Sequence, residues 1–331
     1  MSRVWITWEQ QRRNQTMAAA FDAKLILMDV AASRPVRYAI CTVRTLHAIA
    51  SNKPSVVFVQ NPSFVLVVVA ATVCSIAGIP FVIDAHNSAI FPLDGKSRFL
   101  TWATNKLNRA ATLVIVSNDR LKMAETSAGA NVVSLPDPLP EIHCASPAEL
   151  RAPRNILFVC SWAVDEPFLN VIEAGRFLSP DICIHVTGNH SKPHLRLPQD
   201  IPPNVNLTGF LSAAEYDCLL RAVDVVVDLT TYDDCLVCGA YEGVSASKPL
   251  ILSDTKVNRS YFDKGTLYTD NSARDVARQI VQALDEIPRL TAEVEGLKLN
   301  LESDWRARKH EIETVLQEVS RPVTTARRAP R

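Results

Sequence analysis

Residues 223–254 read VDVVVDLTTYDDCLVCGAYEGVSASKPLILSD and carry the clearest structural signature of the chain. A β-branched run ends at Asp228, a segment with helical spacing follows over 235–246, and a second apolar run occupies 249–252. Short buried strands that alternate with helices are typical of parallel sheets in α/β proteins. The predicted helix follows the carboxyl end of a strand, which is the edge where such sheets bind ligands.

The same alternation extends in both directions. Apolar runs before this stretch predict strands at 4–7, 24–28, 55–60, 81–84, 113–116, 132–135, 155–160, 182–187 and 205–207. After it, a short strand at 267–269 and a helix at 273–284 continue the series. A chain of 331 residues exceeds what one hydrophobic core usually holds. We therefore predict an α/β protein of two doubly wound, Rossmann-like parallel-sheet domains in tandem.

The domain boundaries follow from proline content and charge. The run Pro-Asp-Pro-Leu-Pro and the polar stretch after it predict a linker over 141–153, between domains at 1–140 and 154–289. A charge-laced helical stretch over 290–320 is expected to pack back across both domains. The last residues, 321–331, are rich in Pro, Thr, Ala and Arg, which predicts a disordered basic tail.

The composition is that of an ordinary soluble enzyme, with 47% hydrophobic and 21% charged residues. Lys and Arg balance Asp and Glu at 35 each, and we expect no nucleic-acid partner. Residues 1–140, however, carry 14 Lys and Arg against 8 Asp and Glu. A basic first half suits an anionic acceptor or an anionic membrane surface, although an asymmetry of this size also arises by chance.

The segment over 64–79 is nearly all apolar and is long enough to test as a membrane span. Pro62 precedes it, Gly78 and Pro80 end it, and apolar runs typical of strands lie on both sides. A strand, a buried helix and a second strand explain the whole stretch, whereas a bilayer helix would leave both strands unpaired. We predict a buried helix, with a peripheral membrane contact as a further use of its apolar surface.

Eight cysteines are scattered, mostly in apolar segments, with no signal-peptide pattern before them, which predicts a reducing, cytoplasmic compartment. Cys235 and Cys238 form a C-x-x-C pair, but no second Cys or His pair lies nearby to complete a zinc site. We interpret the pair as helix packing and expect no metal site. No Gly-x-Gly-x-x-Gly run follows a strand, so a dinucleotide cofactor is not expected either.

The stretch around residue 240 combines a predicted helix N-terminus with two acidic side chains. A helix N-terminus offers free N–H groups and the positive end of a dipole to a diphosphate. Asp234 and Glu242 are about two turns apart on the predicted helix, so we expect Asp234 to face a sugar hydroxyl and Glu242 a ribose. Thr231, just before them, is a further candidate for the same pocket.

Asp234 and Glu242, with seven residues between them and Lys-Pro after the helix, resemble the acidic-x7-Glu element of GT-B glycosyltransferases. The run from Ser161 to Phe168, SWAVDEPF, and the run DAHN at residues 84–87 add a narrower likeness. They resemble elements of the chitobiosyldiphosphodolichol β-mannosyltransferase and of related bacterial exopolysaccharide enzymes of the group 1, family 4-like type. The resemblance spans most of the chain and implies a GT-B fold, in which two domains face a cleft. It also implies that the acceptor-binding domain comes first and the donor-binding domain second.

The chain also departs from the commonest pattern of that fold. Many retaining GT-B enzymes hold the donor pyrophosphate with an Arg after the first strand of the second domain and a Lys five residues later, where this chain has Ser161 and Glu166. The departure favours the mannosyltransferase-like branch, which inverts the anomeric centre. Cationic pairing must then come from elsewhere, or backbone N–H groups must replace it. Ser161 remains a donor-binding candidate, and Gly188 with Asn189 resembles the loop that meets the nucleotide base in relatives.

The acceptor side is predicted at the carboxyl ends of strands in the first domain. An inverting transfer needs a carboxylate or an imidazole to take the proton from the attacking hydroxyl. Glu9, Asp84 and His86 are candidates for this base, and the sequence does not choose among them. Arg12 and Arg13, in the loop after the first strand, are candidates for holding an acceptor pyrophosphate or the donor phosphates, with two solvated arginines as the alternative.

These features together predict a glycosyltransferase that moves a hexose from a nucleotide-diphosphate sugar, with no cofactor beyond that donor. By resemblance, the acceptor is a saccharide or a lipid-linked saccharide in envelope or exopolysaccharide synthesis, and the enzyme works in the cytoplasm at the inner face of the membrane. The alternative is a catalytically degenerate GT-B binding subunit, which the absent Arg and Lys pair and the scarcity of glycine suggest. A nucleotide-sugar epimerase is a weaker third interpretation.

Overall fold

The computed structural model describes residues 2–61, 63–85, 90, 97–150, 152–192 and 195–320. The chain divides into two compact units, unit 1 (Met1–Pro138 with Asp304–Arg331) and unit 2 (Leu139–Ser303). The predicted linker over 141–153 thus falls in unit 2, where the N–H of His143 donates to the carboxylate of Asp217 at 2.8 Å. The predicted tail over 321–331 lies outside the described residues.

Unit 1 is built around one parallel sheet. Its strands are β1 Arg3–Thr7, β2 Lys24–Leu27, β3 Val56–Asn61, β4 Phe81–Ala85, β5 Leu113–Val116 and β6 Val132–Ser134, in the spatial order β2-β1-β3-β4-β5-β6. Its helices are α1 Arg12–Ala20, α2 Arg34–Asn52, α3 Phe64–Ala77, α4 Arg98–Ala110 and α5 Asp119–Ser127. Val57 and Val59 pack into one apolar cluster and Phe58 into another. Because both faces of the sheet are covered, β3 is an almost continuous apolar run.

The apolar segment tested as a membrane span forms α3, between β3 and β4 of the sheet. Val67, Ala70 and Cys74 are 0% exposed, because this helix packs into the core of unit 1. Gly78 ends the helix in the left-handed conformation, with its N–H bonded to the carbonyl of Cys74. Among the described residues, no helix combines the length and the apolar character that crossing a membrane requires.

Unit 2 repeats the architecture. Its strands are β7 Arg154–Phe158, β8 Ile182–Thr187, β9 Val205–Gly209, β10 Val225–Asp228, β11 Leu250–Ser253 and β12 Thr266–Thr269, all paired in parallel in the order β12-β11-β10-β7-β8-β9. Its helices are α6 Phe168–Ala174, with a 3-10 turn at Gly175–Phe177, α7 Ala213–Ala222, α8 Cys238–Ser245, α9 Lys256–Tyr261 and α10 Ala273–Asp285.

Each sheet contains a switch point, where the chain leaves one side of the first strand and continues on the other. In unit 1 the switch lies between β1 and β3, and in unit 2 it lies between β7 and β10. Connections on opposite faces leave a crevice outside the carboxyl ends of the two strands at such a point, and open α/β sheets bind ligands there. The loops after β7 and β10 are therefore the first place to look for a ligand site in unit 2.

The last described helix, α11 Ile287–Ser320, contributes to both units. Its first half places Leu290 and Val294 in the apolar clusters of unit 2. Its second half belongs to unit 1, where Ile312 packs in an apolar cluster and Glu313 pairs with Arg3 at 2.6 Å. The charge-laced sequence of this helix reflects a narrow buried face within an otherwise exposed surface.

Candidate functional site

In unit 2, the loop after β7 is organised around the carboxylate of Glu166. It accepts hydrogen bonds from the N–H of Ser161 at 3.0 Å, from the Ser161 hydroxyl at 2.7 Å and from the N–H of Ala163 at 3.0 Å. Trp162 between them has a left-handed backbone, with φ +62°. This conformation lets neighbouring N–H groups converge on one anion, as they do in anion-binding nests. The chain thus holds its own carboxylate in the kind of N–H arrangement that also suits a phosphate.

Trp162 joins this loop to the loop after β8. This residue is 2% exposed, and its Nε1–H donates to the carbonyl of Thr187 at 2.9 Å. Gly188 follows with φ +88°, and a Cβ at that position would lie 2.2 Å from the carbonyl oxygen of Cys160. Packing of one loop against the other therefore requires this glycine, whether or not a nucleotide approaches it.

Gly188→Ala is expected to destabilise unit 2 by more than about 2 kcal/mol, because a left-handed backbone and a steric clash both oppose the new methyl group. Gly78→Ala is the matched control: Gly78 also has a positive φ, of +65°, but a Cβ added there would meet nothing within 4 Å. The free energy of unfolding of this control should fall by only about 1 kcal/mol, because only the left-handed backbone opposes the new methyl group. Denaturant unfolding of both variants measures the difference, and equal losses would contradict the packing role of Gly188.

Other side chains of the β8 loop lie at the same end of the sheet. Asn189 is exposed, and its side chain accepts a backbone N–H two residues on at 3.0 Å. The Lys192 ammonium donates to the carbonyl of Ser161 at 2.6 Å and so places a cation beside the β7 loop. The ring of His190 lies 6.1 Å from that of Trp162, and its buried Nδ1 has no hydrogen-bond partner within the described part of the chain.

A chain of hydrogen bonds joins the β7 loop to the loops after β10, β11 and β12. The Thr230 hydroxyl donates to the Asp165 carboxylate at 2.8 Å, and the N–H of Thr231 donates to the Asp165 carbonyl at 2.8 Å. The N–H of Thr230 donates to the Ser253 hydroxyl at 2.9 Å, and that hydroxyl donates to Asn271 at 2.7 Å. Thr231 itself is exposed. Hydrogen bonds within unit 2 therefore hold the loops at the switch point together.

Helix α8 begins at Cys238 and not at residue 235, where it was predicted. Asp228 explains the difference, because its buried carboxylate at the end of β10 accepts the N–H of Gly239 at 2.6 Å and caps the helix beside the strand. Asp234 lies half-buried in the turn before the helix. The predicted placement of Asp234 and Glu242 two turns apart on one helix is therefore wrong. The helix N-terminus predicted for a diphosphate is occupied, at Gly239, by a carboxylate of the protein.

Glu242, on α8, is 9% exposed and accepts a hydrogen bond from the Tyr216 hydroxyl of α7. Burial raises the pKa of Asp228 well above its ordinary value, and the charges of Glu166 and Glu242 add to this rise, while the Gly239 N–H opposes it. The carboxylates of Glu166 and Glu242 therefore lie close enough to the start of α8 to act on Asp228. A diphosphate would need cations or backbone N–H groups to offset this negative charge.

In unit 1, a buried polar network lies at the carboxyl ends of β1 and β3. The Asn14 amide donates to Gln60 at 2.6 Å and accepts the Trp5 Nε1–H at 2.9 Å, while the Thr7 hydroxyl donates to Gln60 at 2.8 Å. Asn14 and Thr7 are each 1% exposed. Both also bond to the backbone of Glu9. The network thus fixes the loop after β1, where Glu9 is half-buried.

Arg13, predicted to bind a phosphate, forms a buried ion pair. Its guanidinium donates to Asp84 at 2.8 and 3.0 Å, to Asp137 at 2.6 Å and to the carbonyl of Leu135 at 3.0 Å. Burial lowers the pKa of Arg13, but the charges of Asp84 and Asp137 outweigh it and raise the pKa above its ordinary value. The pairing therefore engages two of the predicted site residues, Arg13 and Asp84, with each other.

Two other predicted site residues of unit 1, His86 and Arg12, lie wholly or partly outside the described part of the chain. His86 lies outside the described residues. Arg12 is the first residue of α1, and its side chain lies outside the described part of the chain. Among the described candidates for the base, Glu9 is thus the one that lies half-buried in a loop, whereas Asp84 is buried against Arg13.

No protein-family model matches the sequence, and no curated protein matches it. Solved structures nevertheless match the fold over almost its full length. HepE from Anabaena, in complex with UDP and glucose, superposes with a TM-score of 0.70 at 13% sequence identity, covering 96% of this chain and 99% of that chain. The chain has the GT-B fold. Sucrose-phosphate synthase from Thermosynechococcus elongatus gives a TM-score of 0.72 at 9% identity, with coverages of 96% and 99%.

The predicted GT-B fold, with two Rossmann-like parallel-sheet domains, is thereby confirmed. The fold does not by itself select a reaction. A Listeria monocytogenes protein named as a UDP-N-acetylglucosamine 2-epimerase also superposes, with a TM-score of 0.64 at 12% identity and 96% coverage of both chains.

Within unit 2, the structure brings the predicted donor-binding residues to one end of one sheet. They lie on the loops after β7, β8 and β10 and on α8: Ser161, Gly188, Asn189, Thr231, Asp234 and Glu242. Sequence reasoning missed the helix cap at Asp228, the hydroxyl partner Tyr216 and the cation Lys192. A single Asp that ends a β-branched run before a helix was an available signal for the cap, whereas the other two contacts join distant parts of the sequence.

Proposed function

We propose that this protein is a glycosyltransferase that moves a hexose from a nucleotide-diphosphate sugar to a saccharide acceptor. The observation that carries the proposal is the polar site at the switch point of unit 2, in a GT-B fold. Loops held by internal hydrogen bonds end there beside a helix that carries Glu242. HepE, which shares the fold, has been solved with UDP and with UDP-glucose.

In the proposed donor site, Glu242 binds the ribose hydroxyls, and Asp234 binds a hydroxyl of the sugar from the turn before α8. The diphosphate lies along the β7 loop, where Ser161 offers an exposed hydroxyl. Lys192 supplies a positive charge there, in place of the Arg and Lys pair that holds the pyrophosphate in many retaining GT-B enzymes. The nucleotide base lies by the β8 loop, near Asn189 beside Gly188. The Nδ1 of His190, which has no hydrogen-bond partner among the described residues, is an added candidate for contact with that base. Thr231 lines the edge of this site.

On the acceptor side, the structure favours Glu9 over Asp84 as the catalytic base, because Asp84 is committed to Arg13. His86 keeps its proposed contact with the transferred sugar, and Arg12 its proposed contact with an acceptor phosphate. We propose a lipid-linked saccharide of envelope or exopolysaccharide synthesis as the acceptor, met at the inner face of the cell membrane from the cytoplasm. No cofactor or metal is proposed.

The test is turnover by the full chain with UDP-, GDP-, ADP- and TDP-hexoses, each with and without a lipid-diphosphate saccharide acceptor. We expect one donor to yield its nucleoside diphosphate together with a labelled, extended acceptor, at a rate that EDTA does not change. Interconversion of the sugar nucleotide with no transfer would overturn the proposal in favour of an epimerase. Binding of a donor without any turnover would favour the degenerate binding subunit.

A further inference from the structure

Helix α4 of unit 1 exposes an unusual pair of aromatic side chains. Phe99 is 71% exposed and Trp102 is 54% exposed, and their ring centroids lie 6.0 Å apart. Among the ring pairs within the described residues, this is the one in which both rings are mostly exposed. Packing against the described residues of unit 1 does not account for these rings, because the buried residues of α4 are Thr104 and Asn108.

The charges on the same helix all have one sign. Arg98, Lys106 and Arg109 are exposed, and the Lys106 ammonium lies 5.4 Å from the centroid of the Trp102 ring. With about 100° of rotation per residue, the three cations and the two rings fall within about 100° of one another on the helix surface. The sequence of α4, RFLTWATNKLNRA, contains no Asp or Glu. One face therefore combines apolar rings with positive charge.

We propose that this face of α4, formed by Arg98, Phe99, Trp102, Lys106 and Arg109, binds the surface of an anionic lipid bilayer. Trp is favoured at the boundary between headgroups and acyl chains, where its ring is half apolar and half polar. Cations beside such rings reach the headgroups while their aliphatic stems cover apolar surface. Lipid binding requires no sugar transfer, so this inference and the proposed function can each fail without the other.

Other occupants fit the face less well. A second copy of the chain, related by two-fold symmetry, would bring the same cations against each other. A single-stranded nucleic acid would also suit cations and rings, but its bases stack on rings that alternate along a groove, whereas these two rings share one turn of a convex helix. A bilayer accepts both groups at once, because it presents anionic headgroups above an apolar layer.

The experiment is co-sedimentation of the full chain with vesicles of phosphatidylcholine alone and of phosphatidylcholine mixed with phosphatidylglycerol. We expect binding to the anionic vesicles that weakens as the salt concentration rises. Phe99→Ala with Trp102→Ala should lower the partition coefficient by about tenfold to a hundredfold. Lys106→Gln or Arg109→Gln should each lower it about fivefold, and only on anionic vesicles.

Phe210→Ala is the matched control, because Phe210 is 83% exposed but belongs to unit 2. It should leave vesicle binding unchanged. The four arginines of residues 321–331 are present in every variant. Any vesicle binding that they supply is therefore the same in the wild type and in the variants, and it does not affect the comparison between them. Wild-type partitioning by the double aromatic variant, with an unchanged circular dichroism spectrum, would overturn the proposal. Binding of single-stranded RNA but not of vesicles would overturn it as well.

Discussion

Glu242→Ala is expected to weaken the binding of a nucleoside diphosphate by between about tenfold and a hundredfold. Each hydrogen bond from a ribose hydroxyl to the Glu242 carboxylate should contribute about 1.5–3 kcal/mol to the binding free energy. Glu242 is only 9% exposed, so water cannot easily replace such a bond in the variant. Titration calorimetry with GDP, UDP, ADP and TDP measures the loss of affinity and identifies the preferred nucleotide base. Glu242→Gln should lose affinity too, because the amide keeps the shape of the side chain but not its charge.

Two further variants separate a ligand contact from a structural role for Glu242. Tyr216→Phe removes the hydroxyl that donates to Glu242 but keeps the carboxylate, so it should bind the diphosphate within about threefold of wild type. Glu173→Gln changes an exposed carboxylate paired with Arg176 and should have no effect. If wild type binds a diphosphate and Glu242→Gln binds it equally well, Glu242 is not a donor ligand.

Arg13→Met is expected to destabilise unit 1 by about 3–5 kcal/mol, because it removes the guanidinium that compensates the buried charge of Asp84, which is 1% exposed. Such a loss is a large part of the roughly 5–15 kcal/mol that holds most domains folded. Thermal unfolding followed by circular dichroism should show the transition lowered by about 10 °C. The double variant Arg13→Met with Asp84→Leu should recover much of the loss, since neither charge then remains buried alone.

The matched control for this pair is Arg154→Met. Arg154 also pairs with a carboxylate, that of Asp181 at 2.6 Å, but both side chains are more than a third exposed. Water solvates the carboxylate of Asp181 that remains in this variant, so the free energy of unfolding should fall by less than about 1 kcal/mol. A normal melting temperature for Arg13→Met, together with weaker acceptor binding, would show that Arg13 contacts a ligand and does not stabilise the fold.

The strands could be predicted from the sequence to within about two residues, and the reason is physical. A parallel sheet covered on both faces requires continuous apolar runs, and β5 and β8 occupy the runs predicted for them, 113–116 and 182–187. The apolar segment that forms α3 was also assigned to a buried helix, because strands on both sides of it needed partners.

The start of α8 could not be predicted in the same way. Helical spacing continued back to residue 235, but the first turn forms only where the carboxylate of Asp228 meets the N–H of Gly239. That contact depends on how closely the helix approaches the end of β10. A glycine allows this approach, since a Cβ at position 239 would lie 2.6 Å from the Asp228 carboxylate.

Local sequence therefore determined the α/β class, the two sheets and the end of the second sheet where polar side chains gather. It also placed Glu242 on a helix after that sheet edge, because periodicity and strand ends are properties of neighbouring residues. Only the tertiary structure decided that Arg13 faces Asp84, 71 residues away, and that Glu166 turns back onto its own loop. Whether a charge meets a ligand, water or another side chain depends on which distant groups the fold brings within hydrogen-bond range, and no local pattern encodes that distance.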